Sequence, residues 1–276
     1  MAFDLGADSV VAIGGGSTTG LAKAIALEMS LLVLAIPTTY AGSEMTAIYG
    51  LTDGGLKRTG TDVKVLPRTV LYDPELTYSL PVAVSVTSGI NALAHAAEGL
   101  YAHDRNPISD LMAREGIRAI AAALPVLVTE RDPAVLHEVR AQALYGAWLC
   151  GAVLGSVGVA LHHKLCHTLG GSFNLPHAET HAIILPHALA YNAKAAPGAM
   201  AAIAQALGAS NAAQGAFDLA RSTGAPLGLH QIGMREDELD KACEIALQNQ
   251  YPNPRPLEAG VIRELLQNAW EGRRPV

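Results

Sequence analysis

The sequence predicts a two-part fold: an α/β amino-terminal part with a parallel sheet, followed by an all-α carboxy-terminal domain. Two apolar runs, SVVAIGG and SLLVLAIPTT, flank the helical stretch STTGLAKAIALEM. Continuous apolar strands joined by a helix indicate parallel strands covered on both faces. From about Pro81 the chain is rich in Ala and Leu at helical spacing, interrupted by prolines and without further strand alternation. We therefore expect a boundary between residues 1–80 and residues 81–276.

Composition and charge exclude several classes of protein. The 276 residues are 50% hydrophobic, enough for a sizeable core. A formal charge of -6 provides no basic field for nucleic acid. The chain shows no signal peptide and no apolar run of membrane-spanning length, and its three widely spaced cysteines suit reduced thiols. We expect a cytoplasmic protein that binds neither nucleic acid nor membranes.

A glycine-rich turn follows the first strand and opens the first helix. Glycines let the backbone approach a pyrophosphate closely, and a helix amino terminus favours an anion. A second loop, IPTTYAGSE, follows the next strand with more hydroxyls. The glycine turn alone is equally consistent with a plain tight turn, but two hydroxyl-rich loops at adjacent strand ends favour a nucleotide site, so residues 1–80 are expected to be a partial dinucleotide-binding domain. The candidate cofactor-binding residues are Gly14, Gly15, Gly16, Ser17, Thr18, Thr38, Thr39 and Ser43.

Six of the ten histidines lie between residues 162 and 187. Residues spaced four apart share one face of a helix, so three such pairs could converge on one cleft between helices. The pairs are Asn91 with His95, His163 with His167, and His177 with His181. Single histidines that nothing pairs with a role are expected to be packing or surface residues; these are His162, His181 and His187.

Four motifs resemble the iron-containing alcohol dehydrogenase superfamily along nearly the whole chain: GGGS, IPTT followed by GSE, N-A-L-x-H-A-x-E, and H-x-x-x-H-x-L-G-G with a later P-H. Within it, GGGSTTGLAKAIA, PTTYAGSEMT and NPRPLEAGVIRELLQNAWEGRRP most resemble maleylacetate reductases. The resemblance implies a dehydroquinate synthase-like fold with a truncated parallel sheet. It also implies a homodimeric oxidoreductase that uses NADH or NADPH. The implied reaction is reduction of the carbon–carbon double bond of maleylacetate to 3-oxoadipate, in the degradation of aromatic compounds.

Metal-using members of that superfamily hold Fe²⁺ or Zn²⁺ with one Asp and three His. The resemblance carries these positions onto Asn91, His95, His163 and His177, while His167 matches a histidine close to the nicotinamide. A neutral amide in place of Asp weakens a divalent site. We therefore expect no tightly bound metal, and we expect these residues to polarise the substrate's conjugated oxygens, with one imidazolium delivering a proton.

A dianionic substrate also requires cations and donors. Arg255 in QYPNPRPLE can bind a carboxylate with two hydrogen bonds, and Tyr251 and Asn253 offer further donors. Lys164 is a second candidate cation. Without the resemblance, this proline-rich segment would be interpreted as an ordinary surface turn.

Two other interpretations remain open on the sequence. One is a metal-dependent alcohol dehydrogenase for a small alcohol, with Asn91 tolerated as a ligand. The other is a non-catalytic truncated fragment, because the family has a further α/β segment before GGGS, and a sheet without its first strands exposes an edge.

Overall fold

A computed structural model describes residues 5–53 and 56–276. Strand β1 (Ser9–Gly14), helix α1 (Gly16–Met29) and strand β2 (Leu32–Pro37) form the predicted unit, and β1 pairs with β2 in parallel, Ser9 opposite Leu32. Small residues of α1 pack against β1 and β2 in a compact apolar cluster. The α/β prediction for the amino-terminal part is confirmed, and the carboxyl ends of β1 and β2 lie side by side.

The sequence prediction missed three strands. Strands β3 (Ile48–Asp53) and β4 (Leu56–Thr61) form an antiparallel pair, and the short β5 (Thr69–Val70) adds to β2 in parallel, giving the sheet order β1-β2-β5. The sequence LKRTGT lacks the apolar alternation that predicts a strand. The dipeptide Gly-Gly between the two runs is a hairpin signal that apolar periodicity does not register.

The remainder of the described chain is helical, as predicted. Its helices are α2 (Val82–Gly99), α3 (Pro107–Thr129), α4 (Pro133–Leu154), α5 (Leu161–Phe173), α6 (His177–Asn192), α7 (Pro197–Ala206), α8 (Ala212–Ser222), α9 (Leu239–Leu247) and α10 (Ala259–Glu271). Asn106 caps α3 and Asp132 caps α4, each followed by a proline in the first turn.

Helix α2 is the central element, buried on all sides from Ser85 to Gly99. It contacts α3, α4 and α6 within the larger apolar core, while α5, α6, α9 and α10 enclose a second core. The three cysteines are buried and free. Within residues 5–53 and 56–276, no helix is long and apolar enough to cross a membrane.

Candidate active site

The glycine turn and the second hydroxyl-rich loop contact each other at the end of the sheet. The amide of Thr38 donates to the carbonyl of Gly14 at 3.0 Å. A Cβ on Gly15 would lie 3.0 Å from Cγ2 of Thr39, so a side chain there would press on the second loop. Gly15 caps α1 without a side-chain hydrogen bond, which leaves first-turn amides for an anion. The hydroxyl of Ser43 is buried and has no hydrogen-bond partner among the described residues.

Lys23 anchors the end of the second hydroxyl-rich loop through hydrogen bonds from its ammonium. Lys23 is only 2% exposed, and its three ammonium N–H groups lie within hydrogen-bond distance of four acceptors, the carbonyls of Ser43 (2.7 Å), Thr46 (2.7 Å) and Ile48 (2.8 Å) and the Thr46 hydroxyl (3.0 Å). Burial lowers the pKa of Lys23 to about 8, against the opposing charge of Glu44. The sequence analysis missed this lysine. The available signal was its position between the apolar residues of LAKAIA, whose alanines at positions 22 and 26 are buried in α1.

Helices α2, α5 and α6 bring the predicted histidine pairs together. His95 Nδ1 lies 2.8 Å from His163 Nε2, and His95 Nε2 lies 3.2 Å from the carbonyl of Ala41 in the second loop. The ring centres of His163 and His167 are 5.9 Å apart, and those of His177 and His181 are 4.2 Å apart. His95 and His163 are buried and His177 is exposed, so the cluster extends from the loop to the surface.

Glu98 is a residue of this cluster that the sequence analysis did not select. It is fully buried on α2 and accepts the Nδ1 proton of His163 at 2.7 Å. The spacing of Asn91, His95 and Glu98 places all three on one face of α2, which is the signal that could have identified it.

The contacts of the His95–His163 pair show how many protons the two rings can hold. Three contacts require an N–H: His95 with Ala41, His95 with His163, and His163 with Glu98. Two neutral imidazoles carry two N–H groups, so they satisfy two contacts, and one additional proton would satisfy all three. Burial lowers the pKa of both histidines well below its ordinary value. The pair is therefore neutral at rest, with a defined position for one more proton.

Two of the predicted substrate residues join this cluster. The Tyr251 hydroxyl lies 3.1 Å from His167 Nδ1, and Lys164 Nζ lies 5.6 Å from the centre of the Tyr251 ring. Partial burial lowers the pKa of Lys164. A hydroxyl and an ammonium thus lie next to the histidines, suited to an anionic substrate.

The other two residues are occupied by contacts within the chain. Arg255 donates to Glu258 at 3.0 Å and stacks 4.3 Å from the ring centre of Tyr191. The amide of Asn253 donates to Asn192 and to the carbonyl of Arg255. Their contribution in the structure is to fasten the segment that carries Tyr251.

The three histidines that were not assigned a role are all buried. His162 Nε2 lies 3.1 Å from the carbonyl of His181. Both ring nitrogens of His181 and Nε2 of His187 have no hydrogen-bond partner among the described residues. The ring of His181 contacts four other imidazoles, so it fills the space between α2, α5 and α6.

The residues at the expected metal positions lack the negatively charged ligand of a divalent iron site. His95 Nδ1 and His163 Nε2 lie 2.8 Å apart, which is a hydrogen-bond distance. Among the described residues, two groups of potential metal ligands have their ligand atoms within 4.8 Å of one another: His162 with Cys166 and His181, and Glu98 with His162 and His163. Neither group includes His95 or His177. Asn91 contributes a neutral amide, so no carboxylate at the expected metal positions balances the charge.

Comparisons with known proteins assign both parts of the chain to the same family. Residues 1–74 match the family model described as "Iron-containing alcohol dehydrogenase", and residues 85–270 match "Fe-containing alcohol dehydrogenase family, C-terminal". A maleylacetate reductase of Burkholderia cepacia is 64% identical over 271 residues, covering 98% of this chain and 76% of that protein.

Two solved structures are similar throughout. The crystal structure of a maleylacetate reductase from Agrobacterium tumefaciens is 55% identical with a TM-score of 0.93, and the match covers 99% of this chain and 77% of that one. A putative alcohol dehydrogenase from Ralstonia eutropha JMP134 is 65% identical with a TM-score of 0.96, covering 100% and 77%.

Proposed function

Because the chain belongs to the iron-containing alcohol dehydrogenase family, we propose that it is an NAD(P)H-dependent oxidoreductase that reduces the carbon–carbon double bond of maleylacetate to give 3-oxoadipate. The observation that carries this proposal is its similarity to maleylacetate reductases along nearly the whole chain. The histidine cluster beside the second hydroxyl-rich loop supports it. By the same family resemblance, we propose that the protein acts as a homodimer in the cytoplasm.

The glycine turn and the second loop fit a nicotinamide dinucleotide. Bare backbone amides at the start of α1 and the unpartnered hydroxyl of Ser43 provide donors for a pyrophosphate. Thr38 and Thr39 belong to the same surface, and Ser17 and Thr18 open the helix. The bound cofactor would supply hydride to one carbon of the conjugated alkene.

Lys164 and Tyr251 are the proposed partners of one substrate carboxylate. They lie together beside His167, and an ammonium with a hydroxyl can bind a carboxylate through two different donors. Arg255 is the proposed partner of the second carboxylate, which requires the guanidinium to exchange Glu258 for the substrate.

The histidines are proposed to stabilise the charge that develops on the substrate. As hydride adds to the alkene, negative charge moves onto the conjugated carbonyl oxygen, and N–H donors stabilise that oxyanion. We assign this role to His167 and His177 with the amide N–H of Asn91, because both ring nitrogens of His163 already contact Glu98 and His95. We propose that the His95–His163 pair, which is neutral at rest, takes up one proton from solvent before each turnover and delivers it to the enolate carbon.

This chemistry needs no Lewis acid, and we propose that turnover on maleylacetate is independent of metal. The proposal rests on the neutral amide of Asn91 and on the hydrogen-bonded geometry of His95 and His163. A metal-dependent alcohol dehydrogenase would instead need one equivalent of bound metal, on which activity depends.

The test combines cofactor binding with turnover. NADH and NADPH are titrated against the purified chain, and oxidation of each is followed with maleylacetate and with small alcohols or aldehydes. We expect submillimolar cofactor affinity and turnover only on maleylacetate. His163→Ala and His177→Ala should lower kcat by about 100-fold or more, in the range of general acid–base effects. Near wild-type turnover in both variants would show that the histidine assignment is wrong, and absence of cofactor binding would refute the enzyme proposal for this chain.

A further inference from the structure

The carboxylate of Glu98 accepts hydrogen bonds both from the amino terminus of α5 and from the ring of His163. One carboxylate oxygen accepts from the amide of Ala160 at 2.7 Å and from His163 Nδ1 at 2.7 Å. The other accepts from the amide of His162 at 2.7 Å and from the hydroxyl of Tyr101 at 3.3 Å. Glu98 itself is 0% exposed.

Helix α5 depends on this carboxylate for its cap. Its N-cap residue is Ala160, which has no side-chain acceptor, and no side-chain cap bond is formed locally. A negative group at a helix amino terminus satisfies first-turn amides and interacts favourably with the helix dipole. Glu98 on α2 therefore fixes where α5 begins, and with it the position of the backbone of His163.

The same carboxylate decides which nitrogen of His163 carries a proton. An ionised carboxylate only accepts hydrogen bonds, so Nδ1 must be the donor at 2.7 Å. In the neutral ring, Nε2 then presents its lone pair to His95 Nδ1, 2.8 Å away. Without the carboxylate, either ring nitrogen could hold the proton.

We propose that Glu98 is the positioning residue of the site, fixing both the placement of α5 and the Nδ1–H form of His163. It does not touch the substrate and acts through His163. The inference rests on the proposed function only for its effect on turnover, because the protonated nitrogen can be identified without substrate.

The experiment measures ring-nitrogen shifts of the full chain labelled with ¹⁵N-histidine, since protonated and unprotonated nitrogens differ clearly. The His163 signals are assigned by their loss in His163→Gln. We expect a proton on Nδ1 in the wild type and in Tyr101→Phe, which removes a different contact of the same carboxylate. Glu98→Gln removes the charge and one acceptor oxygen, so the Nε2–H form should become populated.

The kinetic arm uses the same variants with maleylacetate. We expect Glu98→Gln to lower kcat by about 10- to 100-fold, the usual effect of removing a group that orients a functional histidine, with the Kd for NADH changed less than about twofold. A wild-type His163 protonated only on Nε2 would overturn the inference, even if Glu98→Gln does not fold. So would a folded Glu98→Gln with the wild-type nitrogen pattern, which would leave Glu98 as a helix cap alone. If maleylacetate is not a substrate, the nitrogen measurement still decides the role of Glu98.

Discussion

Replacing Lys23 with methionine tests how the second hydroxyl-rich loop is held. Methionine keeps the length of the apolar stem but removes an ammonium whose three N–H groups are shared among four acceptor atoms of Ser43, Thr46 and Ile48. Bonds from a charged donor stabilise by about 1.5 kcal/mol each at the low end of their range. Against them, the pKa of Lys23 lowered to about 8 corresponds to a cost of about 3 kcal/mol for burying the ammonium. Three such bonds stabilise by about 4.5 kcal/mol, so the difference gives an expected loss of about 1.5 kcal/mol in the free energy of unfolding.

The loss should appear in cofactor binding as well. Ser43 carries a hydroxyl that we assign to the dinucleotide, and Lys23 holds its carbonyl. We expect Lys23→Met to weaken NADH binding by about tenfold or more, as a loop released from a fixed position pays an ordering cost on binding. Urea denaturation gives the first quantity and fluorescence titration with NADH the second.

Lys64→Met is the matched control, because Lys64 is exposed and lies in the same part of the chain. It should change stability by no more than about 0.5 kcal/mol, as is usual for surface substitutions. The reasoning is refuted if Lys23→Met behaves like this control in both measurements.

Three further outcomes follow from the structure. A Cβ on Gly151 would lie 2.5 Å from the backbone oxygen of Gly42, so Gly151→Ala should push α4 away from the second hydroxyl-rich loop and lower the denaturation midpoint. The control is Gly20→Ala: a Cβ on Gly20 would meet open space, so this variant should raise stability by up to about 1 kcal/mol. Dialysis of the wild type against a chelator should leave maleylacetate turnover intact, while Asn91→Asp should bind Zn²⁺ or Fe²⁺ at least about tenfold more tightly in calorimetry; a wild type that loses activity with its metal would contradict this. Between pH 8 and 10.5 the unfolded chain holds the Lys23 proton that the folded chain has released, so the unfolding free energy of the wild type should rise with pH by up to about 3 kcal/mol relative to Lys23→Met; a flat difference would contradict the lowered pKa.

Apolar periodicity was sufficient for β1, α1 and β2 and for the helical character beyond residue 81. Their apolar runs predicted the elements, but the expected cover on both faces of the sheet is not observed, because Val11, Ile13 and Leu32 are exposed in the structure. Apolar periodicity failed for β3 and β4, because LKRTGT carries no apolar alternation and the pairing of the two strands is not encoded in a local pattern of residue types.

For the candidate site, the sequence alone predicted the two loops and the pairs Asn91–His95, His163–His167 and His177–His181, because i, i+4 pairs and glycine turns are local patterns. The roles of Glu98 and Lys23 were decided only by the tertiary structure. Apart from Tyr101 next to Glu98, the partners of these two groups lie 20 to 65 residues away in the chain. A buried polar or charged group is tolerated only when folding supplies such partners. Which nitrogen of His163 faces His95 is likewise set by the carboxylate that α2 brings to the start of α5.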